Sequence, residues 1–519
     1  MKIRAAHFRR AVLAMALSAS CAAAETPMPA LRHDRLIVDG KPWLILGGEL
    51  ANSSSSSRAY MAERWGKLRA LHLNTVLTPV SWELIEPTEG KFDFSLVDGL
   101  IADARAHDLR LVLLWFGSWK NSMSTYVPAW VKHDSTRFPR ARTADGKAVD
   151  ILTPFSPTTA AADARAFEAL MRHLAEADQA RTVIAIQVEN EIGMIPEPRD
   201  HSALAEAAWK QPVPKGLAGA GKSWTEAYGA DADEAFMAWG FGRFVEQVAS
   251  AGKRAYPLPL YLNAALPRPN AMPGKGYPAA GPLPNLAQVW RAAAPSIDLI
   301  EPDIYFPNFV EWTRNYATLP QPLFIPEANN AGAAESPANA LFAIGQLGAF
   351  GFSPFSIDKL DPIQGKSLSD LYVLLKKLAP LILERQGTGR IAGLRAPISF
   401  DGKADLADQG FTMAEERMTA RFIDPWTPRD KQQPETHGAI VLDLGGDEYL
   451  VAGRGVTITF APADGNGASG IERIDEGDFV NGQWVPGRRL NGDESHQGRH
   501  LRLPPDGYSI QRIKLYHYR

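Results

Sequence analysis

The sequence predicts an α/β chain: a barrel of eight strand–helix units followed by a smaller all-β domain. Three observations predict it. Between about residues 36 and 383, short apolar runs alternate with longer helical stretches, the rhythm of parallel strands joined by helical crossovers. There are eight such runs, which suggests a closed sheet over an open one. After about residue 386 the runs shorten and alternate polar with apolar residues, the pattern of strands with one buried face.

The eight runs are 42–50, 74–80, 110–116, 182–190, 258–264, 297–305, 322–328 and 348–355. Each is almost continuously apolar, as expected of strands covered on both faces. A helix over 370–383 closes the set, with Leu371, Leu374, Leu375, Leu378, Leu381 and Ile382 on one stripe. The fold expected for residues 31–385 is therefore a (β/α)8 TIM barrel, and for 386–519 a sandwich-like β domain. In the second part Asn481-Gly482 separates two strand-like runs, a strong signal for a two-residue hairpin. This domain reads as a cap on the barrel, with a binding role as the alternative. The fourth barrel unit carries the longest interruption, a Pro-, Ala- and Gly-rich stretch between Ile192 and Trp239. It reads as a wall of the substrate site or as a solvated excursion.

Residues 1–24 have the pattern of an export signal. Lys2, Arg4, Arg9 and Arg10 precede an apolar stretch, and Ala22-Ala23-Ala24 offers a cleavage site. A periplasmic or extracellular location follows as an expectation. The lone cysteine, Cys21, lies inside this segment, so the mature chain is expected to hold no disulfide; acylation of Cys21 is the alternative. No stretch has the apolar length of a membrane span.

The chain has 519 residues, 45% apolar and 22% charged, with a net charge of −3. That composition is ordinary for a folded protein and supplies no basic field for nucleic acid. A neutral partner such as a sugar fits better. The sequence shows no dinucleotide fingerprint, no Cys cluster and no HExxH, so neither a cofactor nor a metal is expected.

Polar residues at the C-terminal ends of barrel strands mark the site-bearing face. Two ends stand out: Glu189, Asn190 and Glu191 after the fourth run, and Glu327 and Asn329 after the seventh. Glycoside hydrolysis needs two carboxyl groups flanking one bond, and rigid strand ends can hold them at a fixed separation. Glu189 and Glu191 share strand parity, so both are expected to point inward. Glu191 is nearer the rim, and the residue pattern leaves the choice open. Glu49, next to the end of the first run, and Asn329 are candidates for binding the substrate. Trp82, Trp115 and Trp119 are candidates for an aromatic floor and walls, with core packing as the alternative. Tyr305 ends the sixth run, and Asn52 in the Ser-rich loop 52–57 is a further lining candidate. Asp303 and Asp358 read as structural carboxylates.

"QVENEIG" followed by "FIPEANN", with "DGKPWLILGGEL" and "VSWELIEPTEGKFDFS" upstream, resembles glycoside hydrolase family 35 of clan A across most of residues 36–360. The resemblance implies a retaining β-galactosidase with Glu191 as acid/base and Glu327 as nucleophile. It also implies that Asn190 bonds the sugar 2-hydroxyl and that Tyr305 bonds the nucleophile. The pattern departs in places. Ser118 stands before Trp119 where the family has Glu, Ile85 replaces a His, Glu83 follows Trp82 instead of Asn, and no His and Tyr follow Glu49. The chain looks closer to a divergent bacterial group acting on galactose side chains of xyloglucan. An endo-acting β-glycanase and a catalytically silent carbohydrate-binding barrel are the alternatives.

Overall fold

The structure is a computed structural model that describes residues 26–519. The export-signal expectation and Cys21 fall outside the described residues. The eight expected strands all form: β1 (Ile45–Leu46), β2 (Thr75–Ser81), β3 (Arg110–Lys120), β4 (Val183–Asn190), β5 (Leu260–Ala265), β6 (Leu299–Ile304), β7 (Ile325–Asn330) and β8 (Gly351–Phe355). They make one parallel sheet in the order β1-β8-β7-β6-β5-β4-β3-β2. Glu49, just past β1, bridges both Leu77 of β2 and Phe355 of β8 and so closes the sheet into a barrel.

One main helix follows each strand: α1 (Trp65–Ala70), α2 (Ser95–Ala106), α3 (Pro157–Ala177), α4 (Ala232–Ala255), α5 (Ala287–Ala293), α6 (Phe309–Ala317), α7 (Ser336–Gln346) and α8 (Lys366–Arg385). Local chemistry sets their starts. Ser156 caps α3, accepting from Thr159 N–H at 3.2 Å, with Pro157 at the first helical position. Leu371, Leu374, Leu375, Leu378 and Ile382 of α8 are buried, as the stripe predicts; Leu381 is only half-buried.

Alternation along the strands gives two apolar layers. In β3, Val112, Leu114 and Phe116 join a cluster with Ile45, Leu77, Tyr261, Leu299 and Phe324, while Leu111, Leu113 and Trp115 join the large cluster under the helices. Between Trp115 and Lys120 the register against β4 shifts, and the alternation breaks where the site begins.

The C-terminal strands are β9 (Ile391–Arg395), β10 (Gln409–Met413), β11 (Glu416–Arg421), β12 (Gly438–Gly445), β13 (Glu448–Arg454), β14 (Thr457–Pro462), β15 (Ala468–Val480), β16 (Gln483–Leu490), β17 (Leu501–Arg502) and β18 (Ser509–Tyr518). They form a six-stranded sheet, β9-β12-β13-β18-β15-β16, and a four-stranded one, β10-β11-β14-β17. Asn481 (φ 51°) and Gly482 (φ 76°) make the expected tight turn between β15 and β16. Period-two patterning assigns the two faces of the larger sheet. Ala439, Val441 and Val451 pack with Met418 and Ile458 of the smaller sheet, while Ile440, Leu442, Leu450 and Ala452 join the barrel's cluster. The β domain is therefore docked on the barrel through an apolar sheet face. At the contact, a Cβ on Gly345 of α7 would lie 2.8 Å from the Cα of Gly393 in β9, so the two backbones approach only because both residues are glycine.

Candidate active site

The site sits at the C-terminal ends of the strands, where the backbone leaves ordinary strand geometry. Glu189 (φ 62°), Glu191 (43°), Asn329 (39°) and Asn121 (55°) are all left-handed. Such conformations cost about 1–3 kcal/mol each and persist where surrounding structure over-determines them.

That backbone separates Glu189 from Glu191. Glu189 turns out of the barrel toward α3 and accepts from the Trp119 backbone N–H at 2.8 Å. Beside it lies Asp163 of α3, which accepts from Trp115 Nε1 (2.9 Å), Ser118 N–H (3.0 Å) and the Ser118 hydroxyl (2.6 Å). Burial, followed for Glu189 by the adjacent Asp163, pushes both carboxyls up from their ordinary range. Gly117 makes room for this pair: a Cβ there would lie 2.7 Å from Glu189 Oε1 and 2.8 Å from Asp163 Oδ2. The expected shared inward parity is thus corrected; only Glu191 of the two faces the barrel mouth.

Glu191 meets Asp303 of β6 and Glu327 of β7, each presenting an oxygen within 4.8 Å of the others. Its backbone N–H donates to Asn263 Oδ1 at 2.9 Å. Asn263 Nδ2 in turn donates to Asp303 Oδ2 at 2.6 Å and to Asn190 Oδ1 at 3.2 Å. Gln187 also donates to Asn190 Oδ1, at 2.9 Å, leaving Asn190 Nδ2 buried without a partner among the described residues. The Tyr305 hydroxyl donates to Glu327 Oε1. Glu49 is buried beside Glu327 with its Oε1 unpartnered.

Four carboxylates thus converge, and one buried cation, Lys120 at the end of β3, acts on them. Burial and then the Glu327 charge raise Glu191 to about 7, against the pull of Lys120. The same two causes raise Glu49 and Asp303, again opposed by Lys120. Glu191 is therefore a group that can hold a proton near neutral pH. Three carboxylate oxygens this close could also surround a cation, but Asn263 and Tyr305 already bond Asp303 and Glu327.

Several expected lining residues are elsewhere. Trp82, Trp115 and Trp119 have no solvent-exposed surface. Trp82 donates from Nε1 to Glu86 Oε2 at 2.8 Å, Trp115 is held by Asp163, and Trp119 lies edge-on to Phe241 and Phe244 of α4. They belong to the layer between sheet and helices. Asn329 turns toward α7, donating to Glu335 at 3.1 Å and accepting from Asn339 at 2.9 Å. Asp358 holds the Ser-rich loop through Ala51 N–H (2.8 Å) and the Ser54 hydroxyl (2.7 Å). Sequence reasoning missed Lys120 and Asn263. The signal for Lys120 was a lysine continuing an otherwise apolar strand.

Residues 35–234 match the model of glycosyl hydrolases family 35. The match runs from before β1 to the start of α4. Residues 368–502 match a domain of unknown function, DUF5597. The chain is 32% identical over 207 residues to a β-galactosidase of Xanthomonas manihotis, covering 37% of this chain and 31% of that one. It is 31% identical over 180 residues to β-galactosidase-1-like protein 2 of Homo sapiens, covering 31% and 26%. The alignments thus span under a third of these curated relatives. A solved β-galactosidase from Bacillus circulans sp. alkalophilus superposes with a TM-score of 0.48 at 14% identity, over 66% of this chain and 57% of that one. Among the described residues, no helix is long and apolar enough to cross a membrane.

Proposed function

We propose that this family-35 barrel is a retaining exo-β-galactosidase with Glu191 as acid/base and Glu327 as nucleophile. The observation that carries the reading is the approach of their carboxyl oxygens to within 4.8 Å. Retaining glycosidases hold the two groups about 5–5.5 Å apart and inverting ones about 6.5–9.5 Å, because only inversion needs room for a water.

The chemistry follows from the surroundings. Glu191, raised to about 7, starts protonated and delivers its proton to the departing oxygen. Glu327 attacks the anomeric carbon, and Tyr305, donating to Oε1, orients the attacking carboxylate. The glycosyl–Glu327 ester is then hydrolysed by a water whose proton Glu191 accepts. Asn190 Nδ2 and Glu49 Oε1, buried and unpartnered, are the donor and acceptor available to the sugar hydroxyls. The relatives named β-galactosidase support galactose as that sugar. A xyloglucan side chain as natural donor, and export directed by residues 1–24, belong to the same proposal.

The test is turnover of aryl β-galactoside and aryl β-glucoside, followed by proton NMR. Preference for the galactoside with the β anomer released first is expected; first release of the α anomer overturns the mechanism. On the natural polymer, galactose should be released without shortening of the main chain. N-terminal sequencing of the native protein should begin near residue 25, and recovery of Met1 overturns export.

A further inference from the structure

In β3 the chain after Phe116 turns toward the helices before one side chain returns to the barrel axis. The space beside Gly117 is taken by Glu189 and Asp163. Ser118, which stands where the family has Glu, spends its N–H and its hydroxyl on Asp163. Trp119 lies against Phe241 and Phe244 of α4. Lys120 comes back. Its ammonium stands 5.2 Å from the ring centre of Phe116, a residue of the cluster inside the barrel. From there its charge acts on Glu49, Glu191 and Asp303.

Lys120 is held by its backbone and left without a partner at its tip. Its N–H donates to Ser124 O at 3.2 Å, and its carbonyl accepts from the Ser124 hydroxyl. Opposite it in the sheet is Asn190. Only 7% of Lys120 is exposed, yet its Nζ has no acceptor among the described residues. The lysines that pair with a carboxylate there are Lys132, Lys253, Lys366 and Lys377, all more exposed than Lys120. A buried ammonium without an acceptor loses hydration with no compensating hydrogen bond, so an oxygen from a ligand is the partner it lacks. Asn190 repeats the situation. Gln187 and Asn263 both donate to its Oδ1, which fixes the amide and leaves Nδ2 buried and unpartnered.

We propose that Lys120 donates from Nζ to a ring hydroxyl of the transferred sugar and is a specificity-determining residue of the site. Two unpartnered donors on paired positions of neighbouring strands suit a ligand rich in neighbouring hydroxyls, because an ammonium and an amide N–H can only donate. Four carboxyl groups already surround this one ammonium. A uronic acid would bring in a further negative charge, so the sugar is a neutral one. The proposal rests on the glycosidase reading above.

The experiment measures kcat/KM of the full chain and of Lys120→Met for an aryl β-galactoside and its 2-, 3-, 4- and 6-deoxy analogues. The pH is kept below the alkaline limb of both proteins, so that a shifted titration does not enter. Methionine keeps the length and apolar stem of the side chain and removes the donor. On the parent galactoside the variant should fall about ten- to hundredfold below the wild type, the range of one hydrogen bond to a charged donor. On the one analogue that lacks the partner hydroxyl, the two proteins should turn over alike, which a misfolded or merely electrostatic variant would not do. No gap on the parent, or a gap of the same size on every analogue, overturns the proposal. Preference of the wild type for an aryl β-galacturonide overturns it too. The wild type's choice between aryl β-galactoside and aryl β-glucoside tests the galactosidase reading separately. If glucose is preferred, the deoxy series is built on glucose and still decides the role of Lys120. Calorimetric binding of the free sugars and their deoxy forms makes the same comparison without turnover.

Discussion

Glu189 and Glu191 are two residues apart on one strand end and have opposite surroundings. Glu189 is buried against Asp163 and spends an oxygen on the Trp119 N–H. Glu191 faces Glu327 and Asp303 across the barrel mouth. Both are pushed toward the protonated form, chiefly by burial. A raised carboxyl alone therefore does not mark the acid. What distinguishes Glu191 is the pair of carboxylates facing it, Glu327 and Asp303, with oxygens within 4.8 Å of its own.

The comparison sharpens most under truncation. Glu191→Ala should lower kcat/KM for poor leaving groups by about 10²–10⁴-fold. With dinitrophenyl galactoside the glycosyl-enzyme should form and then persist, and azide should restore turnover as the β-galactosyl azide. Glu189→Ala should instead act on stability. It removes the acceptor of the Trp119 N–H and strands Asp163, costing about 2–4 kcal/mol in denaturant unfolding. If Glu189→Ala shows the azide pattern and Glu191→Ala does not, the assignment within this motif is reversed.

Much of this pattern was legible in the sequence, for definite reasons. Strands covered on both faces must be apolar, so all eight barrel runs stand out, as does Asn481-Gly482, whose backbone both residues tolerate. Strand parity failed at Glu189 because left-handed residues and the register shift after Trp115 break the period of two. Trp82, Trp115 and Trp119 misled because a tryptophan reads alike whether it walls a sugar site or fills the layer under a helix. Asn329 misled because its partners, Glu335 and Asn339, come from the following helix. Asn263 and Lys120 escaped notice because their importance lies in neighbours from other strands.

Titration separates the two glutamates more gently. Activity should fall as pH rises through about 7, where Glu191 loses its proton. Lys120 opposes that rise, so Lys120→Met should move this alkaline limb to higher pH, read from kcat/KM profiles. No movement would remove Lys120 from the electrostatics of the site.

The smallest effect belongs to Glu189→Gln, which keeps an acceptor for Trp119 and a donor for Asp163. Because burial raises the folded-state values of Glu189 and Asp163, the protonated pair contributes stability that is fully present at acid pH, below the unfolded carboxylate range. It is lost as pH climbs through the raised folded values. Glu189→Gln should flatten that loss in melting curves taken across pH; an unchanged slope would show that the pair does not titrate with folding.

The most direct test of the account is to trap the covalent intermediate. A 2-deoxy-2-fluoro-β-galactoside with a dinitrophenolate leaving group slows both steps but leaves the first fast enough to accumulate ester. Peptide mass spectrometry of the inactivated protein should place one fluorogalactosyl group on Glu327. A label on Glu191, Glu189 or Asp303, or turnover with an α first product and no label, would contradict it.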